Sequence, residues 1–462
     1  MASREEPAGD GLPPVVRGLL DPEAYPDRPP SVELIPTEVS WVLLAGERAY
    51  KVKKPLKTTW LDYSTPAKRA RWCRREVELN RTLAPDLYLG VAPIVEVDGR
   101  PRLGARGRAV EHAVVMRRLP AEEMMPALLA RGEIAPAEMR QLAARVAEFH
   151  AGAPGGPSVA RYGSPAAIRH RIDDCMAAAE PLIGATLDAD THAQLVAWMR
   201  GWIEEHARLL RARARRGRVR DGHGDLHAEN ICRVDGEFVL FDRIEFSRAL
   251  RCLDVAAEIA ALACDLDGSG DAGLAAEFVD GYVDDSGDEG VRDLLPFYCC
   301  YRSAVLGVIW AITAQDRSLD AGSRAAREAG ARNAFALARY AYAGGAPRPL
   351  LVLAAGRRAG SELPGALARR LGLVRPGLED RPAAALDDTR RLLRRGASVL
   401  LDGSVDALRA VVLAEELAIP CLVVESGAEP STPQRGEHRV AVPDGGELES
   451  AVEGVVAAAA GI

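Results

Sequence analysis

The stretch that most constrains this chain is His223-Gly224-Asp225-Leu226-His227-Ala228-Glu229-Asn230, with Phe241-Asp242 set so that Asp242 follows Asp225 by seventeen residues. Phosphoryl transfer asks little covalent chemistry of a protein. It asks for a base beside the acceptor hydroxyl and a divalent metal held against the phosphates. An Asp, an Asn five residues on and a second Asp across a short hairpin supply those parts. Asp225 would take the hydroxyl proton, and Asn230 and Asp242 would hold Mg2+ through hard oxygen ligands. The pattern predicts the hairpin too: a strand over 231–234, a tight turn at Asp235-Gly236 and a returning strand over 238–241. Alone, each residue would only punctuate a polar loop; at this spacing they form one constellation.

At 462 residues the chain exceeds one ordinary domain, so two are expected, one with room for two lobes. Hydrophobic residues make up 48% and charged residues 27%, enough to bury a sizeable core. A net charge of −7 argues against general nucleic-acid binding, which needs a basic surface. The eight cysteines form no CxxC pair, which disfavours structural zinc and fits a reduced, cytoplasmic compartment. Residues 1–30 are rich in Pro, Gly and charge and hold no apolar run long enough for a signal peptide or membrane span. They are expected to form a mobile leader, and no membrane partner is expected.

Three short strands are predicted over 32–35, 40–44 and 48–53, joined by turns at Pro36-Thr37-Glu38 and Gly46-Glu47. Thr65 caps a helix with Pro66 at its first position, running to about Leu83. Strands near 92–97 and 113–116 complete a small sheet over 31–119. From 120 to 343 the pattern is mainly helical (136–150, 164–183, 189–216, 251–264, 272–284, 290–312 and 322–342), interrupted by the hairpin. A sheet with one helix, then helices around a hairpin, predicts an α+β, bilobal, protein-kinase-like fold with ATP between the lobes. After Gly344-Gly345-Ala346-Pro347, apolar runs at 350–354, 398–401 and 421–424 alternate with helical segments, which predicts a small parallel α/β domain over 347–462.

A phosphate-gripping lysine is expected on the third strand. The two-residue period puts Lys51 and Lys53 on one face and Lys54 with Tyr50 and Val52 on the other. Lysines there would also keep a strand edge soluble. Glu76 lies on the stripe of Trp72, Leu79 and Leu83, whereas Glu78 points away. A carboxylate on an apolar stripe is costly unless paired, so Glu76 is the expected partner of Lys51. No GxGxxG covers the phosphates. The turn Thr37-Glu38-Val39-Ser40 stands there instead, where a backbone amide or the Ser40 hydroxyl could approach a phosphate. Adenine would meet backbone near 115–119.

With Val32-Glu33-Leu34-Ile35, Ala49-Tyr50-Lys51-Val52-Lys53-Lys54-Pro55, Leu61-Asp62-Tyr63-Ser64-Thr65, Leu79-Asn80-Arg81-Thr82-Leu83-Ala84-Pro85, Leu240-Phe241-Asp242-Arg243-Ile244-Glu245-Phe246 and Arg251-Cys252-Leu253-Asp254-Val255-Ala256 beside the octapeptide, the chain resembles the aminoglycoside phosphotransferase/choline-kinase superfamily. Within it, the chain is similar to the bacterial bifunctional aminoglycoside phosphotransferase/ATP-binding proteins. The likeness runs from about residue 21 to 342. It implies a kinase-like fold, ATP with Mg2+, Asp225 as base and Asn230 and Asp242 as metal ligands; it leaves the acceptor open.

In that family the C-terminal half resembles a small P-loop kinase. Counted from Gly356, the GxxxxGK[ST] fingerprint meets Ser361 at its second glycine and Glu362 at its lysine; counted from Gly360, Gly365 fits but Ala366 replaces the lysine. Either way the cation is lost, so a degenerate domain without ATPase activity is expected, with Asp402 as a strand-end cap. Acidic residues Asp280, Asp284, Asp285, Asp288 and Glu289 are either a solvated rim or an attraction for a cationic acceptor. Two functions stay open: phosphorylation of a small-molecule hydroxyl, or a nucleotide-binding regulatory or scaffold protein that no longer turns over.

Overall fold

The computed structural model describes residues 12–58, 61–268, 272–316, 319–339, 343, 351–355, 389, 399–401, 421–426 and 437–442. They fall into two compact units that are not contiguous in sequence: residues up to 159 with 219–258 and 280–286, and the remainder.

The first unit is built on six antiparallel strands in the order β1-β2-β3-β6-β4-β5: β1 (Val32–Pro36), β2 (Ser40–Ala45), β3 (Arg48–Lys53), β4 (Tyr88–Val97), β5 (Arg100–Leu103) and β6 (Ala109–Arg117). Helix α2 (Pro66–Asn80) starts as its sequence dictates, the Thr65 hydroxyl accepting from Lys68 N at 3.3 Å. Alternation along β3 sorts its side chains. Tyr50 and Val52 enter a cluster with Leu43, Ile94, Leu103 and Ala113 on one face. Ala49 packs on the other face with Cys73 and Val77 of α2 and with Tyr88 and Met116. The apolar stripe of α2 thus fixes the face on which Lys51 and Lys53 stand.

Residues 12–30 correct the expectation of a mobile leader. Pro14–Gly18 forms a short helix (α1), and Val16, Leu19, Ala24 and Tyr25 are buried. Leu19, Ala24 and Tyr25 join the cluster on the Tyr50 face of the sheet, with the Tyr25 and Tyr50 rings 5.1 Å apart and tilted by 51° and the Tyr25 hydroxyl donating to Leu19 O at 2.8 Å. Val16 and Leu19 each contribute about 1.5–3 kcal/mol of burial, which the Pro and Gly content of the segment conceals.

After β6 come α3 (Met125–Arg131) and α4 (Pro136–Gly152), then β7 (Val219–Asp221), the hairpin β8 (Ile231–Val234) and β9 (Glu237–Leu240), and β10 (Cys252–Asp254) paired antiparallel with β7. The hairpin turns on Asp235 and Gly236, both at positive φ, as a two-residue loop requires. The helix expected from residue 251 starts later, at Val255, because Arg251 is buried and 252–254 are drawn into the pairing with β7. This is the α+β order that the sequence predicts, a sheet with one helix followed by helices around a hairpin.

In the second unit the helix Gly290–Thr313 is long and apolar enough to cross a membrane, yet Val291, Leu294, Phe297, Cys300, Ala304, Val308 and Ala311 are buried, so it packs as a core helix. The segment expected as one helix over 189–216 breaks at His206 into Ala189–Glu205 and Ala207–Arg215. Leu351–Ala355, Val399–Leu401, Cys421–Ser426 and Glu437–Val442 form a parallel four-stranded sheet. The residues aligned with a P-loop (Gly356 to Ala366) and Asp402 lie outside the described residues.

Candidate functional site

Glu76, carried on the buried stripe of α2, sits between the two lysines of β3. Its Oε1 lies 3.1 Å from Lys51 Nζ, and its Oε2 lies 2.5 Å from Lys53 Nζ. Burial alone would raise the Glu76 carboxyl; the two ammonium groups overrule it and hold the group down at about 2. The lysines then part company. Lys51 reaches on to Asp242 Oδ1 at 2.5 Å, and its side chain keeps 10% of its surface open. Burial would depress its ammonium, but Asp242 and Glu76 hold it well above its ordinary range.

Lys53, expected as a second phosphate contact, is instead closed in. Its three donors go to Glu76, Glu245 (2.5 Å) and the Tyr63 hydroxyl (3.2 Å), and its side chain is 1% exposed. Tyr63 in turn donates to Glu245. Burial, with Glu76 nearby, raises the Glu245 carboxyl despite Lys53. Lys53 therefore anchors Glu76, and Lys51 is the more open of the two lysines.

The loop after β7 brings the other predicted residues together. Asn230 Nδ2 donates to Asp225 O at 3.0 Å, which spans the loop, while His227 Nε2 lies 3.3 Å from Asp225 Oδ2. His223 is fully buried, and burial lowers its pKa. Its Nδ1 accepts from Asp225 N at 3.3 Å and its Nε2 donates to Phe241 O at 2.9 Å, so one neutral ring ties the Asp225 loop to the Asp242 strand. Asp242 has φ +62, a left-handed backbone rare for a side-chain-bearing residue, and its amide donates to the Tyr88 hydroxyl at 3.0 Å. The strain turns its carboxylate back toward Lys51.

Asp242 offers a carboxylate, and Asn230, whose amide nitrogen is taken up by Asp225 O, has its amide oxygen left over. Among the described residues no three His, Cys, Asp or Glu side chains cluster as a metal cage. That donor set fits Mg2+, which takes one or two protein oxygens and fills its octahedron with water and phosphate.

Sequence reasoning missed the braces. Asp221 Oδ1 receives both Arg251, through Nε, and Arg243, whose NH2 lies 3.2 Å away; burial would raise this carboxyl, but Arg251 and then Arg243 hold it low. Arg243 Nε also donates to Gly222 O at 2.7 Å. Asn80, at the end of α2, accepts from Arg243 N at 2.8 Å and donates to Arg243 O at 3.1 Å. Arg243 and Glu245 were legible as neighbours of Asp242, but their distant partners carried no local signal.

Ser40 departs from expectation: it is wholly buried opposite Lys53, and its hydroxyl has no hydrogen-bond partner. The turn it closes is pinned by Thr37 N to Ser40 O (2.9 Å), Lys54 N to Val39 O (2.8 Å) and Lys54 Nζ on Thr37 O. Among the described residues the Glu38 and Val39 amides donate to no protein acceptor. At the end of β6 the Arg117 and Arg118 amides are engaged by Leu87 O and Glu47 O, whereas Leu119 N makes no such bond beside the partly buried Val42, Leu44 and Phe241. Three of the five acidic residues considered for a cationic acceptor pair with arginines: Asp284 with Arg140 (3.3 Å), Asp288 with Arg213 (2.8 Å) and Glu289 with Arg292 (2.6 Å).

No family model matches the chain. The uncharacterized protein Rv2004c of Mycobacterium tuberculosis and the uncharacterized protein Mb2027c of Mycobacterium bovis are each 31% identical to it over 417 residues, covering 85% of this chain and 82% of theirs. Among solved structures it is similar to a choline/ethanolamine kinase family protein from Mesorhizobium loti (TM-score 0.39, 15% identity, 66% of this chain and 87% of that one). It is also similar to a microcompartment-associated aminopropanol kinase (TM-score 0.40, 13% identity, 67% and 91%).

Proposed function

We propose, for a chain that belongs to the same family as the mycobacterial proteins Rv2004c and Mb2027c, the function of an ATP- and Mg2+-dependent phosphotransferase acting on a hydroxyl of a small molecule. The observation that carries the reading is Lys51 Nζ on Asp242 Oδ1, with Asp225 and Asn230 bonded to each other in the loop that His223 ties to the same strand. A phosphate-binding cation, a metal-binding oxygen pair and a candidate base thus share one site, as phosphoryl transfer demands.

In this reading Asp225 accepts the proton of the attacking hydroxyl, and its 40% side-chain exposure leaves room for an acceptor. His227 steadies that carboxylate. Lys51 exchanges Asp242 for phosphate oxygens, and the amides of Glu38 and Val39 supply further donors. The Leu119 amide, beside Phe241, is the adenine contact. Bound Mg2+ would neutralise charge on the phosphates; Asp242 and Asn230 would hold it. With Asp284, Asp288 and Glu289 already paired to arginines, the acidic residues favour no cationic acceptor over a neutral one. Eight buried cysteines without a disulfide support a cytoplasmic setting.

The test has two stages. Thermal-shift titration with ATP, with and without Mg2+, reads binding, and a screen of ATP consumption against hydroxylated metabolites and aminoglycosides reads turnover. Mg2+-dependent binding with an acceptor-stimulated rate supports the phosphotransferase; binding without turnover on any acceptor points to a regulatory or scaffold protein.

A further inference from the structure

Behind the Asp225 loop lies a buried carboxylate that the chemistry above does not use. Glu258, on the helix Val255–Gly268, is 3% exposed. Its Oε1 accepts the Gly224 amide at 2.5 Å, and its Oε2 meets His150 Nε2 of α4 at 2.7 Å. The other ring nitrogen, His150 Nδ1, lies 2.9 Å from the Tyr282 hydroxyl. Burial would raise the Glu258 carboxyl; the His150 bond and charge, with His223 and the Gly224 amide, outweigh it and hold the group ionised.

The loop is shaped around this carboxylate. A Cβ at Gly222 would stand 2.7 Å from both Glu258 oxygens, and one at Gly224 would stand 3.1 Å from the Arg251 Cα, with Gly224 already at φ +88. Gly222 thus abuts the Glu258 carboxylate and Gly224 the Arg251 backbone, two positions where only glycine fits. The pinned Gly224 amide belongs to the residue immediately before Asp225. A buried carboxylate with no ligand role, satisfied by a backbone amide and an oriented imidazole, has the arrangement of an outer support that fixes a reactive group.

We propose that Glu258, oriented by His150 and Tyr282, is the positioning residue that sets the place of the Asp225 carboxylate for phosphoryl transfer; the proposal rests on the phosphotransferase reading. A 1 Å displacement of a reacting group costs on the order of 10²-fold in rate, and loss of this anchor permits such a displacement without touching Lys51, Asn230 or Asp242.

The experiment pairs Glu258→Ala with Glu258→Gln, whose amide oxygen still accepts from Gly224. Amide hydrogen exchange at 223–226 is followed beside kcat and the Mg·ATP dissociation constant. Expected for Glu258→Ala are faster exchange over 223–226, a kcat lower by about 10²-fold and an Mg·ATP affinity within about twofold of the parent, with Glu258→Gln recovering most of both losses. Parent-like exchange and kcat in a folded Glu258→Ala overturn the proposal, as does a loss confined to Mg·ATP affinity. If Glu258→Ala does not fold, Glu258→Asp, whose shorter side chain withdraws the acceptor from the Gly224 amide, takes its place: faster exchange over 223–226 with a lower kcat supports the proposal, and parent-like exchange and kcat overturn it. Exchange is read without turnover, so a parent protein that phosphorylates nothing refutes the functional reading separately from the anchor.

Discussion

Lys51 Nζ and Asp242 Oδ1 stand 2.5 Å apart, so the cation suited to phosphate rests on the carboxylate suited to metal. Each neutralises the other, and in the proposed function Mg·ATP would separate them, Lys51 turning to phosphate and Asp242 to the metal. Lys51→Met is therefore expected to weaken Mg·ATP binding by roughly 10- to 100-fold, the worth of a charge-assisted hydrogen bond of about 1.5–3 kcal/mol. The same change frees Asp242, so Mg2+ alone should bind more tightly. Calorimetric titration of both ligands checks the pair of opposite shifts, and unchanged Mg·ATP affinity would place the phosphate contact elsewhere.

Asp225→Asn preserves the size of the side chain and the Asn230 bond, which goes to the Asp225 backbone carbonyl. Turnover should fall by about 10²- to 10⁴-fold with the loss of a general base, while the melting temperature and Mg·ATP affinity stay near the parent's. A variant that still phosphorylates at the parental rate removes Asp225 from its assigned role.

Glu76 gives a pH signature whose sign is set by its two lysines. Lys51 and Lys53 hold its folded carboxyl down at about 2, below the ordinary 4.5 of a glutamate, so the unfolded chain binds the proton more readily. The contribution is then complete above the ordinary carboxylate range and is lost as pH falls from about 4.5 toward about 2. Glu245, raised by burial, acts in the opposite sense, so the comparison needed is parent against Glu76→Gln. That variant leaves Lys51 and Lys53 short of a buried partner, should cost about 3–5 kcal/mol near neutrality and should flatten the acid slope. Urea melts at several pH values between 3 and 7 measure it; an acid slope equal to the parent's would assign acid sensitivity to other carboxylates.

Local chemistry explains why some of this was legible in sequence. The Asp235-Gly236 turn needs two positive φ values and announces itself by residue type, so the 231–241 hairpin and the return of Asp242 could be read directly. Strand alternation put Lys51 and Lys53 on one face, and helical period put Glu76 beneath them. What could not be read was which lysine would be consumed. That depends on Glu245, 192 residues from Lys53, and no periodicity spans such a gap. Arg251 likewise reads as the start of a helix until Asp221, thirty residues earlier, claims its guanidinium. Residues 12–30 failed for a different reason, their few apolar side chains being outnumbered by Pro, Gly and charge.

Asn80 couples the helix that bears Glu76 to the segment that bears Asp242. Its amide nitrogen donates to Glu76 O (3.0 Å) and Arg243 O (3.1 Å), and its oxygen accepts from Arg243 N (2.8 Å). Asn80→Asp keeps the volume and the acceptor but turns an anionic oxygen toward two carbonyls in a buried site. The unmade hydrogen bonds and the desolvated charge should destabilise the fold by about 2–4 kcal/mol at neutral pH. Because the Arg243 backbone adjoins the strained Asp242, the disturbance should also reach the metal position. A chemical melt with an Mg2+ titration in the presence of ATP distinguishes the outcomes: reduced stability with weaker Mg2+ dependence supports the coupling, whereas reduced stability with a parent-like Mg2+ response confines Asn80 to packing.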